Sequence, residues 1–201
     1  LRAQQSYAIW NTQNTLILGL RYINNDLHRQ QLGQGTTGAD FDLSITTPDF
    51  GRDVHFKTNN IAFFAENLFR LNPRLELSTG FRIERGISKM SGRITYLPAE
   101  RIPQEITHQY PLFGVTGQYQ LNKSNKLYGG WSQAYRPAIF ADIIPASAIE
   151  QADPEIQDAF GHNMEIGLKG KLFEQLTYDL NFFQILYKNK IGSLILTDPT
   201  G

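Results

Sequence analysis

Short and long turns alternate along this chain. Short polar turns are predicted at Trp10–Asn14, Leu71–Arg74, Asn122–Lys126 and Phe173–Gln175, and long connections at Gly33–Val54, Thr95–Gln109 and Pro137–Asp158. The segments between them alternate apolar and polar residues as β-strands do. Long antiparallel strands with tight turns at one end and long loops at the other are typical of an outer-membrane β-barrel. A soluble sandwich rarely combines such strict alternation with strands this long.

Each predicted strand has one apolar and one polar face, because side chains alternate across a strand. The apolar faces carry Leu75, Leu77, Phe81, Ile83, Met164, Ile166, Leu168, Leu180 and Phe182. In a soluble sandwich such a face forms the core, whereas in a membrane barrel it meets lipid and the polar face lines the lumen. Alternation alone leaves both interpretations open.

Strand length and aromatic placement favour the membrane barrel. The predicted strands are Thr15–Gln31, Phe56–Arg70, Leu75–Ile94, Tyr110–Leu121, Lys126–Arg136, Phe160–Leu172 and Leu176–Ile191, with another near Gln4–Trp10. Several exceed the ~5–6 residues usual in soluble sheets, and a membrane strand needs about 9–11. Aromatic residues near strand ends, such as Tyr110 and Trp131, resemble interfacial girdles, although ordinary β-propensity also explains them. We therefore expect an all-β fold of antiparallel transmembrane strands with little helix.

Composition and motifs exclude several functions. The chain has no net formal charge and no basic cluster, which argues against nucleic acid as a partner, and it has no cysteine for disulfides or thiolate metal sites. Gly33–Gly38 matches the dinucleotide pattern G-x-G-x-x-G, but no helical period follows it. The four histidines lack zinc-site spacing. We expect no metal, no cofactor and no enzymatic activity.

The acidic residues of the last long connection could supply oxygen ligands for calcium, but no EF-hand pattern is present. They are Asp142, Glu150, Asp153, Glu155 and Asp158. We interpret them as a solvated acidic loop.

Charged residues on the predicted polar face form a second group of candidates. They are Glu66, Arg70, Glu76, Arg82, Glu84, Glu165 and Lys169. They can neutralise one another inside a wet barrel, or they can dock a plug domain by charge and hydrogen bonding. Exposed ion pairs contribute little individually, so only a network of them would matter.

Several strands, in order, resemble those of TonB-dependent outer-membrane receptors. Asn59–Phe69 resembles an "aFaE" strand, and Leu75–Glu84 follows it and closes on "GxRxE". Leu127–Pro137 resembles the "lYxxxSxxfrP" strand, Asn163–Gly170 the "xxExGxKg" strand, and Leu176–Gly192 the "ydlxxFxxxyxnxIg" strand. The series covers residues 59–192.

The resemblance implies that residues 1–201 supply about eight strands of a receptor barrel of about 22 strands. Such barrels lie in the outer membrane of Gram-negative bacteria, and a plug domain occludes them. The plug, the TonB box and the C-terminal aromatic strand are expected outside this sequence, since both ends look cut. The implied partners are outer-membrane lipid, the TonB complex acting through the plug and TonB box, and a ferric chelate ligand. A complete small barrel serving as an adhesin or anchored hydrolase, and a soluble β-sheet binding module, are the alternatives.

Within the family the stretch 143–201 resembles ferric-dicitrate-type receptors, which implies an anionic ligand. Such a ligand requires cationic and hydrogen-bonding groups where the loops meet the lumen. Arg136 is the first candidate, because it ends a strand just before Pro137 and a long loop. Arg101 and His108 in the preceding connection, and Arg52 in the one before it, complete the predicted ligand-binding set. Alternatively, Arg136 secures only the strand end by bonding loop carbonyls.

Overall fold

A single antiparallel sheet forms the structure, a computed structural model that describes residues 1–9, 11–32, 51–102, 104–145, 150–153, 155–173 and 175–194. Its strands follow one another in sequence order across the sheet. They are β1 (Arg2–Ile9), β2 (Thr12–Leu32), β3 (Gly51–Asn72), β4 (Leu75–Ile94), β5 (Gln104–Gln120), β6 (Asn125–Arg136), β7 (Ala159–Leu172) and β8 (Leu176–Lys188). A 3₁₀ turn, Ala99–Arg101, precedes β5, and a one-turn helix α1, Phe140–Ile143, follows β6.

The predicted strands and the all-β fold are confirmed. Every sequential pair of strands is an antiparallel hairpin, and tight turns alternate with longer connections as expected. Within the described residues β1 does not pair with β8, so the sheet does not close into a small complete barrel. Neither does a second sheet appear in these residues, which argues against a sandwich. Trp10 and the Gly33–Gly38 motif lie outside the described residues.

Two strands begin at least five residues earlier than predicted. β3 starts at Gly51, where it pairs with Leu32, and β5 starts at Gln104, where it pairs with Met90. Residues 104–109 are mostly polar, so alternation did not mark them as a strand; the register with β4 extends the pairing through them. The connection predicted at Thr95–Gln109 is therefore shorter, and His108 lies inside a strand.

Cross-strand register gives the sheet the two predicted faces. Arg70 lies opposite Glu76, Ala62 opposite Glu84, and Phe64 opposite Arg82, all on the polar face. On the apolar face Phe81 lies opposite Phe113, and Ile166 opposite Phe182. Phe113 and Ile166, on strands that have a neighbour on each side, remain 48% and 54% exposed, as expected of a surface that meets lipid rather than a packed core.

A small hydrophobic core lies at the end of the sheet that carries the longer connections. Val54, Met90 and Ile94 are almost fully buried there, and Phe140 of α1 packs with them. By register Val54 and Met90 are on the polar face, so this face becomes apolar near the long connections. The part of the β6–β7 connection that carries α1 therefore folds onto the sheet. In the described part of the chain, no helix is long and apolar enough to cross a membrane.

Candidate functional site

The polar face carries an ion-pair and hydrogen-bond network toward its tight-turn end. Arg70 Nε donates to Glu76 at 3.1 Å, and Gln118 donates to the other oxygen of Glu76. Lys169 Nζ lies 3.1 Å from Asp179, which also accepts a 2.8 Å hydrogen bond from Tyr128. All of these side chains except Arg70 line an open hollow of about 440 Å³. Several of the charged residues predicted for the polar face are therefore paired with an opposite charge. This arrangement agrees with the mutual neutralisation expected from the sequence.

Two carboxylates in this region have only neutral partners. Glu66 accepts a hydrogen bond from Ser78 at 3.2 Å, and Glu165 accepts one from Asn181 at 3.3 Å. No cation lies within ion-pair distance of either in the described part of the chain. Among the described residues, Glu66 and Glu165 are therefore carboxylates that accept hydrogen bonds but lack a charged partner.

Glu84 is the centre of a second network, closer to the long connections. It is only 9% exposed, and it accepts hydrogen bonds from Asn60 at 2.7 Å and from Arg82 Nε at 2.8 Å. The Asn60 amide nitrogen also lies 3.4 Å from His108 Nε2. The His108 ring lies over Gly86, where any added Cβ would be 2.3 Å from it. Gly86 is therefore the residue that admits His108 to this cluster.

Aromatic rings extend the Glu84 network toward the β6–β7 connection. Tyr110 lies directly opposite Glu84 in the sheet, and its ring stacks on Tyr135 with centroids 3.6 Å apart. The Tyr135 hydroxyl donates to Asp158. Tyr110 therefore belongs to the polar face rather than to an interfacial girdle, and the girdle prediction is wrong for this residue.

Arg136 and Arg52 hold the β6–β7 connection against the sheet. Arg136 Nη2 donates to Asp142 at 2.8 Å, and Asp142 also accepts a 3.0 Å hydrogen bond from the Ile139 backbone N–H. Arg52 donates to the Tyr96 hydroxyl and to the Pro145 carbonyl, the latter at 3.2 Å. The interpretation of a solvated acidic loop is therefore wrong for Asp142 and Asp158, because both carboxylates bond to the protein.

The four predicted ligand-binding residues have different environments. Arg136, Arg52 and His108 each contact side chains of the protein itself, whereas Arg101 is exposed at the end of the 3₁₀ turn. Arg136 secures the strand end through a carboxylate rather than through the loop carbonyls that were expected. Ligand contact by these residues stays a prediction. Sequence reasoning missed Asn60 and the stacking of Tyr110 on Tyr135, because both depend on contacts between residues far apart in the chain.

The Arg136–Asp142 contact predicts an acid-sensitive connection. Burial by itself raises the pKa of the Asp142 carboxyl, but the hydrogen bonds from Arg136 and Ile139 outweigh it and lower that pKa. The contact therefore stabilises the fold fully above the ordinary aspartate pKa and is lost as pH falls through the lower, folded value. At about pH 4 we expect pepsin to cleave at Phe140 faster in Asp142→Asn than in the natural chain, because only the natural chain keeps the charge. The two rates should converge at lower pH; equal rates at both pH values would contradict the prediction.

Comparison with known proteins identifies the family. A family model described as TonB dependent receptor-like, beta-barrel, matches residues 2–201. No curated protein sequence gives a significant match. Among solved structures, the ferric-catecholate import receptor Fiu from E. coli K12 is 15% identical with a TM-score of 0.67, over 90% of this chain and 30% of the receptor.

Two other solved structures have the same fold. The ferripyoverdine receptor of Pseudomonas aeruginosa is 18% identical with a TM-score of 0.66, over 94% of this chain and 24% of that one. The copper transporter OprC is 18% identical with a TM-score of 0.65, over 90% of this chain and 28% of the transporter. This chain thus spans less than a third of the length of any of the three. It belongs to the TonB-dependent receptor β-barrel family, and it supplies eight consecutive strands of an outer-membrane barrel.

Proposed function

We propose that this chain is part of the wall of a transporter that imports a ferric chelate across the outer membrane, driven by TonB. The family match over residues 2–201 is the observation that carries the proposal. The polar face then lines the lumen and the apolar face meets lipid. Transport rather than catalysis is the proposed activity, and TonB acts through a plug domain and TonB box outside this sequence.

The wall supports such a role because it offers docking groups to a plug. Glu66 and Glu165 lack cationic partners among the described residues and lie on a face that opens into hollows of about 440 and 350 Å³. On such a wet surface, hydrogen bonds and ion pairs between a plug and the wall can break and re-form without a large desolvation penalty. The surface therefore suits a plug that is held in place yet can rearrange.

The ferric chelate class is supported by the similar structures, which include receptors for ferric catecholates and ferripyoverdine. A ferric-dicitrate type is the finer proposal. It rests on the cations at the end of the sheet that carries the long connections. Arg101 is the exposed member of this set, whereas Asp142 partly neutralises Arg136. Arg101 is therefore the residue we expect to contact an anionic chelate directly, with Arg136 keeping the β6–β7 connection in place.

The test uses the full-length protein that contains this chain. We expect Arg101→Ala to weaken binding of ferric citrate about tenfold, the effect of losing one charge-assisted hydrogen bond. Arg136→Ala should weaken it as well, because α1 is released. Lys123→Ala, in the tight turn at the opposite end of the sheet, is the matched control. Titration of ferric citrate and of a ferric catecholate measures the affinities.

The outcomes test two hypotheses independently: the citrate-type cargo, and TonB-dependent transport itself. Unchanged ferric citrate affinity in both arginine variants, with normal barrel assembly, would remove these residues and count against an anionic citrate-type cargo. Iron uptake in cells with and without TonB tests the transport class itself. If uptake through the protein does not depend on TonB, the proposed function is wrong whatever the chelate.

A further inference from the structure

Three rings on the polar face lie flat across a glycine of the neighbouring strand. Each ring belongs to a residue that is the direct register partner of that glycine. An added Cβ at any of the three glycines would overlap atoms of the ring. Side chains of a strand otherwise stand roughly perpendicular to the sheet, so these glycines admit a close approach that keeps the rings along the wall. The pairs are Phe64 with Gly19, His108 with Gly86, and Tyr128 with Gly167.

Two of these rings reach the strand beyond the glycine. Tyr128 of β6 crosses Gly167 of β7, and its hydroxyl donates to Asp179 of β8 at 2.8 Å. His108 of β5 crosses β4 in the same way, and its Nε2 lies 3.4 Å from the Asn60 amide nitrogen on β3. The polar atoms at the far ends of these rings therefore hold the rings against the wall.

The flat rings border the two hollows of the polar face. Tyr128 lines the hollow of about 440 Å³, and Phe64 lines the one of about 350 Å³. Both residues are half-buried. A methyl group added at the glycine opposite would lift either ring away from the sheet, because the backbone of the glycine strand blocks movement in the other direction. The raised ring would then enter the hollow beside it, so the open volume of each hollow depends on a glycine.

We propose that Gly19 and Gly167 keep open the space along the polar wall through which a ferric chelate moves. They are positioning residues, since they act through the rings that lie on them. This inference rests on the proposed transport function and adds residues that act after the cargo has bound. Gly167 and Tyr128 lie near the tight-turn ends of β7 and β6, whereas the predicted ligand-binding residues lie toward the long connections. A change at Gly167 is therefore expected to slow passage and to leave the initial binding intact.

The test measures binding and uptake separately in cells that carry the full-length protein, with and without TonB. Ferric citrate and a ferric catecholate are the probes. For Gly167→Ala we expect the TonB-dependent uptake rate at saturating chelate to fall while the dissociation constant of the chelate stays unchanged. The double variant Gly167→Ala/Tyr128→Ser should restore the rate, because serine is too short to reach into the hollow. Gly80→Ala is the matched control: it lies on the same face, and no described atom is within 4 Å of its added Cβ.

The outcomes distinguish this inference from the proposed function. If the natural protein takes up neither chelate in a TonB-dependent way, the proposed function and this inference are both wrong. Natural uptake that Gly167→Ala leaves unchanged would overturn this inference alone. A double variant as slow as Gly167→Ala would also overturn it, because lost wall contacts rather than a raised ring would then be the cause.

A second glycine keeps the test independent of one variant. The atoms that the new methyl group displaces are at the far end of a flexible side chain, so Gly167→Ala is expected to fold, and heat-dependent gel mobility checks its assembly. Gly19→Ala displaces the far end of the Phe64 ring in the same way. We expect it to slow uptake as well and Gly19→Ala/Phe64→Ser to restore the rate. If both alanine variants assemble and transport at the natural rate, the rings do not limit passage.

Discussion

Replacing Phe81 by arginine is expected to destabilise the barrel by up to about 2–4 kcal/mol, the cost that arginine carries at the bilayer midplane. Phe81 lies on the apolar face between Ala65 and Phe113. Its ring contacts the Phe113 ring at a centroid separation of 5.0 Å. The apolar rows of β4 run from Leu75 to Ile83, and position 81 lies one row inside their end at Ile83. An arginine there loses the ring contact and places a charge in hydrocarbon.

The control for Phe81→Arg is Ser78→Arg in the same strand. Ser78 lies on the polar face and donates to Glu66 at 3.2 Å, so an arginine there gains a carboxylate partner beside the open hollow. The denaturant midpoint of the full-length protein in lipid vesicles measures both effects. Tolerance of arginine at 81 together with loss of assembly at 78 would mean that the two faces are reversed.

The strands and their faces could be predicted because their causes are local. A period of two identifies a strand, and tight turns need only a few residues of suitable conformation. Asn11 and Phe173 adopt positive φ angles in two of these turns. The resemblance to receptor strands then adds the family, because its motifs follow the same order. These local signals were enough to assign Phe81 to the apolar face and Arg82 to the polar face.

The site could not be predicted because its contacts join residues far apart in the chain. Asn60, Glu84 and His108 come from three strands, and only the register brings them together. That register includes the polar start of β5, which carries no alternation signal. The packing of Phe140 on Val54 is equally non-local. A carboxylate in an acidic loop, such as Asp142, looks solvated until its arginine partner is placed.

The Glu84 network gives the second large expected effect. Glu84→Leu removes the acceptor of both Asn60 and Arg82. Removing one partner of a buried ion pair costs about 3–5 kcal/mol. Arg82 keeps 32% of its side-chain exposure, and water can solvate part of its charge, so we expect a loss of about 2–3 kcal/mol. The denaturant midpoint of the full-length protein measures it.

A double variant distinguishes a lost ion pair from lost packing. Arg82→Met/Glu84→Leu removes both charges, so we expect it to regain a large part of the stability that Glu84→Leu loses, because no charge is left without its partner. Glu165→Leu is the matched control, since that carboxylate is exposed and, among the described residues, accepts only from Asn181; it should change stability little. If the double variant is as unstable as Glu84→Leu, the cost comes from packing around Asn60 and Tyr110. The polar face would then owe its stability to side-chain fit rather than to charge pairing.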